Sequence, residues 1–442
     1  MDKDEREALA ARVLASAGGA SEVIVSDVDR ALTRFTHNAI HQNVAATNTT
    51  LRLRTIVDFR TGVAVSNDLS EASLARIVAR AKEMAAHAPA DNDLPPLERN
   101  AMVAVPDAAF DASAATAAPE RLARVAADVF AVVERDALWA AGYVSTRRDG
   151  ITIANSLGTL ASFDGTLCAL NVKANGSDAS GYAEHYGNAF AGVDGSFVSE
   201  VAAQKARTGR APEAVTPGAW TVILEPPAFG ELLAYLADHF SAQSYDEGSS
   251  FLSGGLGRRY AGENVTLVDD YAHPLFAGVP FDYEGVPTQR VGLLEGGIAN
   301  NVVTDARYAK QLGRPNTGHA LPAPNSHGPQ ASHIVVGAGE KPLAQLIAET
   351  ERGLLVSRFW YIRPVDQRRT IVTGMTRDGT FLIENGSLVR GVRNLRFNES
   401  ILEALSRAEF ADRQVRTGGY AYQMITPAVK IEAFRFTSGT EF

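Results

Sequence analysis

Residues 208–218 read TGRAPEAVTPG, and the chain has a different character on either side of them. Two glycines and two prolines in this short stretch mark a linker rather than a helix or strand. Before it, helix-period and strand-period segments alternate. After it, short strands with Gly-rich turns dominate. The pattern predicts an α+β chain of two domains: a mixed α/β domain over residues 1–210, and a β-rich, antiparallel, partly barrel-like domain over residues 218–442. A length of 442 residues supports this division, because single cores stop growing at roughly 250–300 residues.

Upstream, Leu9, Val13 and Leu14 stand at helical spacing and Gly18-Gly19 closes the segment, which predicts a helix over 4–17. EVIVSDV (22–28) reads as a strand. Residues 49–67 read as a hairpin whose alternating runs meet at Asp58-Phe59-Arg60. Ser70 and Glu71 open a helix that Pro89 stops. An extended excursion over 87–120 then leads to a helix at 119–135. Strands are expected at 142–156, 159–176 and 180–190, the last two as antiparallel neighbours, and a helix near 194–208. Downstream, WTVILE, NVTLVDD, RVGLLEGG, SHIVVGAG, TFLIENGSLVRGV and VKIEAFRF read as strands. Helices are expected at 228–240, 342–350 and 399–408.

The hydrophobic fraction of 45% and charged fraction of 21% are those of an ordinary globular protein. The net charge of −9 and the lack of any Lys/Arg block argue against nucleic acid as a partner. The charged start MDKDEREALAARVLASAGG is unlike a signal peptide, and no run approaches the ~18 apolar residues of a membrane span. Cys168 is the only cysteine, so no internal disulfide can form, and a cytoplasmic location is expected.

Candidate chemistry is sparse. SGGLGRR (253–259) and VGAGEKP (336–342) lack the spacing of phosphate-binding loops and read as turns. Cys168 lies in an alternating run, where a small buried role is the default. His37 and His41 are four residues apart in a strand-like or loop-like segment. His319, His327 and His333 share a Pro/Gly/Asn-rich loop whose spacing is not diagnostic of a metal site. Asp282 and Glu284 flank Tyr283 in GVPFDYEGVPTQR (278–290). Paired carboxylates can do acid–base work, or Asp282, Glu284 and Gly285 can form a peptide-binding or purely structural loop. LLAYLADHF (232–240) sets one histidine, His239, on an apolar helix with no evident companion.

The ordered series 281–313, NTGHA (316–320), 343–356 and 379–405 resembles the C-terminal half of the TldD/PmbA family. GSSFLSGGLGRR (248–259), NVTLVDD, RFTHNAIHQNVA (34–45) and ITIANSLGTLAS (151–162) extend the resemblance over nearly the whole chain. The resemblance implies zinc-dependent peptidases, also called modulators of DNA gyrase, with an α/β N-terminal and a β-rich C-terminal domain. Members of the TldD kind carry H-E-x-x-x-H on a helix and take a further zinc ligand from a late cysteine. Members of the TldE (PmbA) kind lack that motif and pair with a TldD-type subunit to degrade flexible, unfolded peptides.

Laid on this chain, the motif's first histidine falls on Ala234, its glutamate on Tyr235 and its last histidine on His239. No cysteine follows Cys168. Catalytic zinc needs three protein ligands, an open position for water and a carboxylate to take the proton. Only one of those positions survives. The resemblance therefore implies a TldE/PmbA-like subunit with no cofactor and no catalysis of its own. Its expected partners are a TldD-type homologue, or a second copy when isolated, and an unfolded peptide. Two alternatives stand beside it. One is an active peptidase whose zinc ligands come from His185 or the 319/327/333 histidines. The other is a module that binds extended peptides by strand addition without cleaving them.

Overall fold

The computed structural model describes residues 1–101, 103–418 and 423–440. Helix α1 (Lys3–Ala17) starts at a capping box, in which Asp2 accepts the Glu5 N–H and Glu5 accepts the Asp2 N–H. Six strands follow: β1 (Ala20–Thr36), β2 (Ala39–Val57), β3 (Arg60–Ser66), β4 (Trp139–Asn155), β5 (Leu160–Asn175) and β6 (Ser180–Gly187). They form one antiparallel sheet in the order β3-β2-β1-β4-β5-β6.

Alternation along β1 explains why its sequence is apolar on both faces. Val23 and Val25 pack on α1 and on α2 (Glu71–His87), whereas Ile24 and its partner Ile153 face Ala277 and Phe281 of the C-terminal half. Past the short helix α3 (Ala112–Ala115), helices α4 (Pro119–Val133) and α5 (Gly195–Thr208) pack over Val144, Leu170 and Val172. Cys168 is fully buried in that layer, and burial pushes its thiol up to about 12, so it is not a nucleophile at neutral pH.

The C-terminal strands are β7 (Gly218–Leu224), β8 (Leu267–Asp269), β9 (Val291–Glu295), β10 (Ile298–Ala299), β11 (Ile334–Val336), β12 (Arg352–Asp366), β13 (Ile371–Glu384), β14 (Ser387–Gly391), β15 (Leu395–Ser400), β16 (Ala408–Gly418) and β17 (Gln423–Gly439). Five of them, β7, β12, β13, β15 and β17, pair in a ring that closes from β17 back to β7. The expected barrel is therefore present, but not purely antiparallel: β7–β12 and β11–β17 run parallel. Helix α6 (Pro226–Leu233) drives Phe229, Leu232 and Leu233 into the same core as Leu354, Phe359, Phe397 and Phe434.

Two expectations need correction. Strands β12, β15 and β16 lie outside the expected ones; in β12, bulges after Val356, Trp360 and Pro364 break the alternation and Tyr361 takes φ 56°. The single helix over 228–240 is instead α6 followed by a 3-10 segment, Ala234–Phe240. No helix among the described residues is long and apolar enough to cross a membrane.

Candidate functional site

Helix α6 and the 3-10 segment carry the three motif positions. A 3-10 winding rises about 2.0 Å and turns about 120° per residue, which puts positions 234 and 239 about 10 Å apart along the axis and about 120° apart around it. That is a poor frame for two ligands of one ion. Ala234 offers no donor atom. The Tyr235 hydroxyl donates to the Ile362 carbonyl at 2.6 Å, tying the segment to β12. His239 is buried, and its ring lies 5.2 Å from the Phe251 ring. Its Nδ1 accepts the Phe251 N–H at 3.4 Å, and burial pushes its pKa down. The residues here do not fit a zinc ion. Among the described residues, no group of three His, Cys, Asp or Glu side chains is arranged to hold a metal.

One turn before Tyr235, Glu231 faces Arg358 of β12 at 3.3 Å and accepts the Phe359 N–H at 3.0 Å. The Arg358 guanidinium lies 4.3 Å over the ring of Tyr182, from the N-terminal sheet, and 3.7 Å from Asp378. Asp378 is also met by Lys173 at 2.7 Å and Arg377 at 4.0 Å. Tyr182 donates its hydroxyl to Glu184, whose other oxygen accepts the Gly418 N–H at 3.0 Å. Two half-buried carboxyls from the two halves of the chain thus lie on either side of one guanidinium: Glu231 pairs with it directly, and Glu184 is held through Tyr182.

Burial, assisted by the charge of Glu184, pushes Glu231 from its ordinary 4.5 up to about 7. A folded state that holds this proton more tightly than the unfolded chain gains stability that is complete below pH 4.5 and is lost as pH rises to about 7. Glu231→Gln is therefore expected to flatten the pH dependence of urea unfolding between pH 5 and 7.5, by on the order of 2 kcal/mol.

The acidic loop is a seam between the two halves. Asp282 accepts the N–H groups of Glu284, Val286 and Ala320, each at 2.9 Å, and Glu284 accepts that of Ala306 at 3.1 Å. Gly285 takes φ 73°, and a Cβ there would stand 2.8 Å from Thr159, in the turn that joins β4 to β5. The hollow beside Glu284, lined also by Glu22, Arg54 and Val286, holds about 20 Å³, the room of a single water. A larger hollow of about 430 Å³ lies elsewhere, between α5 and the outer face of the barrel at Leu355 and Phe381.

Two of the loop histidines meet an aspartate that spacing gave no reason to suspect. His319 Nε2 stands 3.2 Å and His333 Nδ1 3.9 Å from Asp269 Oδ1, while the His333 N–H donates to Asp269 Oδ2 at 2.9 Å. Burial works to raise the Asp269 carboxyl, but the facing His319 and His333 outweigh it and hold it below its usual range. His327 is exposed and apart from this cluster. His185 is partly exposed on β6, against Gly187 and Gly192.

Residues 217–438 match the family model of the PmbA/TldA metallopeptidase C-terminal domain, and residues 21–85 that of PmbA/TldA metallopeptidase domain 1. In fold, the chain is similar to TldE from Thermococcus kodakarensis, with a TM-score of 0.86, 22% identity, and coverage of 96% of this chain and 98% of that one. It is also similar to a putative modulator of DNA gyrase from Thermotoga maritima, with a TM-score of 0.85, 17% identity, and coverage of 98% and 100%. A metalloprotease of Methanothermobacter thermautotrophicus is 26% identical over 281 residues, 60% of each chain. Across the first curated relatives the match spans 24% to 60% of their own length. With the larger of its two matched segments alone covering half of the sequence, the chain belongs to the PmbA/TldD metallopeptidase family.

Proposed function

We propose that this chain is a TldE-type subunit of a peptidase pair, without metal and without catalysis of its own, which acts on unfolded peptides together with a TldD-type homologue. The observation that carries this reading is the segment Ala234–Phe240. Its two lost motif positions are an alanine and a tyrosine whose hydroxyl is committed to Ile362, and its one histidine faces a backbone N–H and a phenylalanine ring. A phenol hydroxyl that donates to a backbone carbonyl cannot serve as the carboxylate base of a zinc peptidase.

The isolated chain is expected to leave a fluorogenic unfolded peptide intact, and cleavage to appear only when a TldD-type homologue is added. In that mixture, a substitution of the homologue's motif should abolish cleavage, whereas His239→Ala in this chain should not. Cleavage by the isolated chain, removed by a chelator, contradicts the proposal.

A further inference from the structure

Arg416 on β16 lies where the two halves of the chain meet. Its Nη1 donates to Asn188 Oδ1 at 2.7 Å and to the Leu275 carbonyl at 3.3 Å, and its Nε donates to Gln423 Oε1 at 2.7 Å. The guanidinium stands 5.3 Å from the centre of the Phe276 ring. Every one of these acceptors is neutral, and no ion pair joins Arg416 to a carboxylate among the described residues. Asp269, behind Phe276 and His333, is taken up by its two histidines.

A guanidinium partly withdrawn from water costs free energy unless an anion faces it. The price shows in the residue itself, because burial alone pulls it down to about 10. Arg416 is nevertheless partly exposed, and its Nη2 has no protein acceptor among the described residues. Three neutral contacts thus hold the planar guanidinium in place and leave the N–H groups of Nη2 free to donate a charge-assisted hydrogen bond to a carboxylate oxygen.

We infer that Arg416 is a carboxylate-binding residue, and that it receives a carboxylate of the bound peptide, from either its free C-terminus or an acidic side chain. The inference rests on the peptide-binding part of the proposed function, but needs neither cleavage nor a metal.

The test uses the full chain and one labelled, unfolded peptide in three forms. These are the free acid without Asp or Glu, its C-terminal amide, and the amide with one internal Glu. Affinities are read by fluorescence anisotropy at fixed ionic strength. At least one acidic form should bind about tenfold more tightly than the plain amide, the usual worth of a charged hydrogen bond. Arg416→Gln should remove that difference, and Arg416→Lys should keep part of it. Preference for the free acid alone assigns the C-terminus, and preference for the Glu peptide alone assigns the side chain. Equal affinities in the wild-type chain, no binding of any form, or a difference that survives Arg416→Gln each overturn the inference. The wild-type comparison needs no variant, so it stands even if Arg416→Gln fails to fold. Cleavage by the isolated chain would contradict the proposed function and leave this comparison intact.

Discussion

Arg358→Ala should lower the unfolding free energy by about 3–5 kcal/mol, the cost of leaving a buried charge uncompensated. Arg358 faces Glu231 on α6 and Asp378 on β13, and covers the ring of Tyr182, which binds Glu184. Asp378 keeps Lys173 as its partner, and Glu184 keeps Tyr182 and the Gly418 N–H, so the penalty falls chiefly on Glu231. The effect has a definite pH dependence. Glu231 holds its proton below about 7 and then needs no counter-charge, so the loss should be smaller at pH 5.5 than at pH 8. Urea unfolding at the two pH values checks both the size and the sign. A loss under 1 kcal/mol at pH 8 would mean that the guanidinium is not what holds these carboxyls.

Phe434→Ala should cost a comparable 3–5 kcal/mol, for a different reason. Phe434 is fully buried on β17, with its ring 5.9 Å from Phe359, 5.3 Å from Phe397 and 5.4 Å from Phe436. These rings come from three strands of the closed barrel, β12, β15 and β17, so truncation opens a cavity that no single strand can move to fill. Phe197 on α5 is 65% exposed, and Phe197→Ala should change stability by less than about 0.5 kcal/mol. The contrast, measured by denaturant unfolding, separates barrel packing from aromatic content.

Much of the fold was written locally. Ser70 before α2 and Gly18 after α1 sit where the sequence placed helix boundaries, and the alternation of 159–176 is the register of β5. Strand β12 was hidden because its three bulges shift the side-chain phase, which a period-two reading cannot follow. The helix at 228–240 was overdrawn for a related reason: Ala and Leu favour a helix, but the anchor at Ile362 that accompanies its tightening lies 127 residues away in sequence.

The candidate site was legible only in part. The positions Ala234, Tyr235 and His239 could be located by resemblance, and Asp282 was evident as a turn residue flanked by glycine and proline. Asp269, His319 and His333 come from two separate segments, and Glu184, Glu231 and Arg358 from three. Arg416 carries no motif at all. What marks it is that its three acceptors are neutral and that no carboxylate among the described residues pairs with it, a property of the folded chain that spacing does not encode.

The proposed function requires that the segment Ala234–Phe240 hold no zinc. Its most direct test is the metal content of the isolated chain after purification in zinc-containing buffer without chelator, read by elemental analysis together with peptide cleavage. The account predicts zinc far below one equivalent, and no cleavage. About one zinc per chain, held through exhaustive dialysis and lost together with cleavage on chelation, would contradict it.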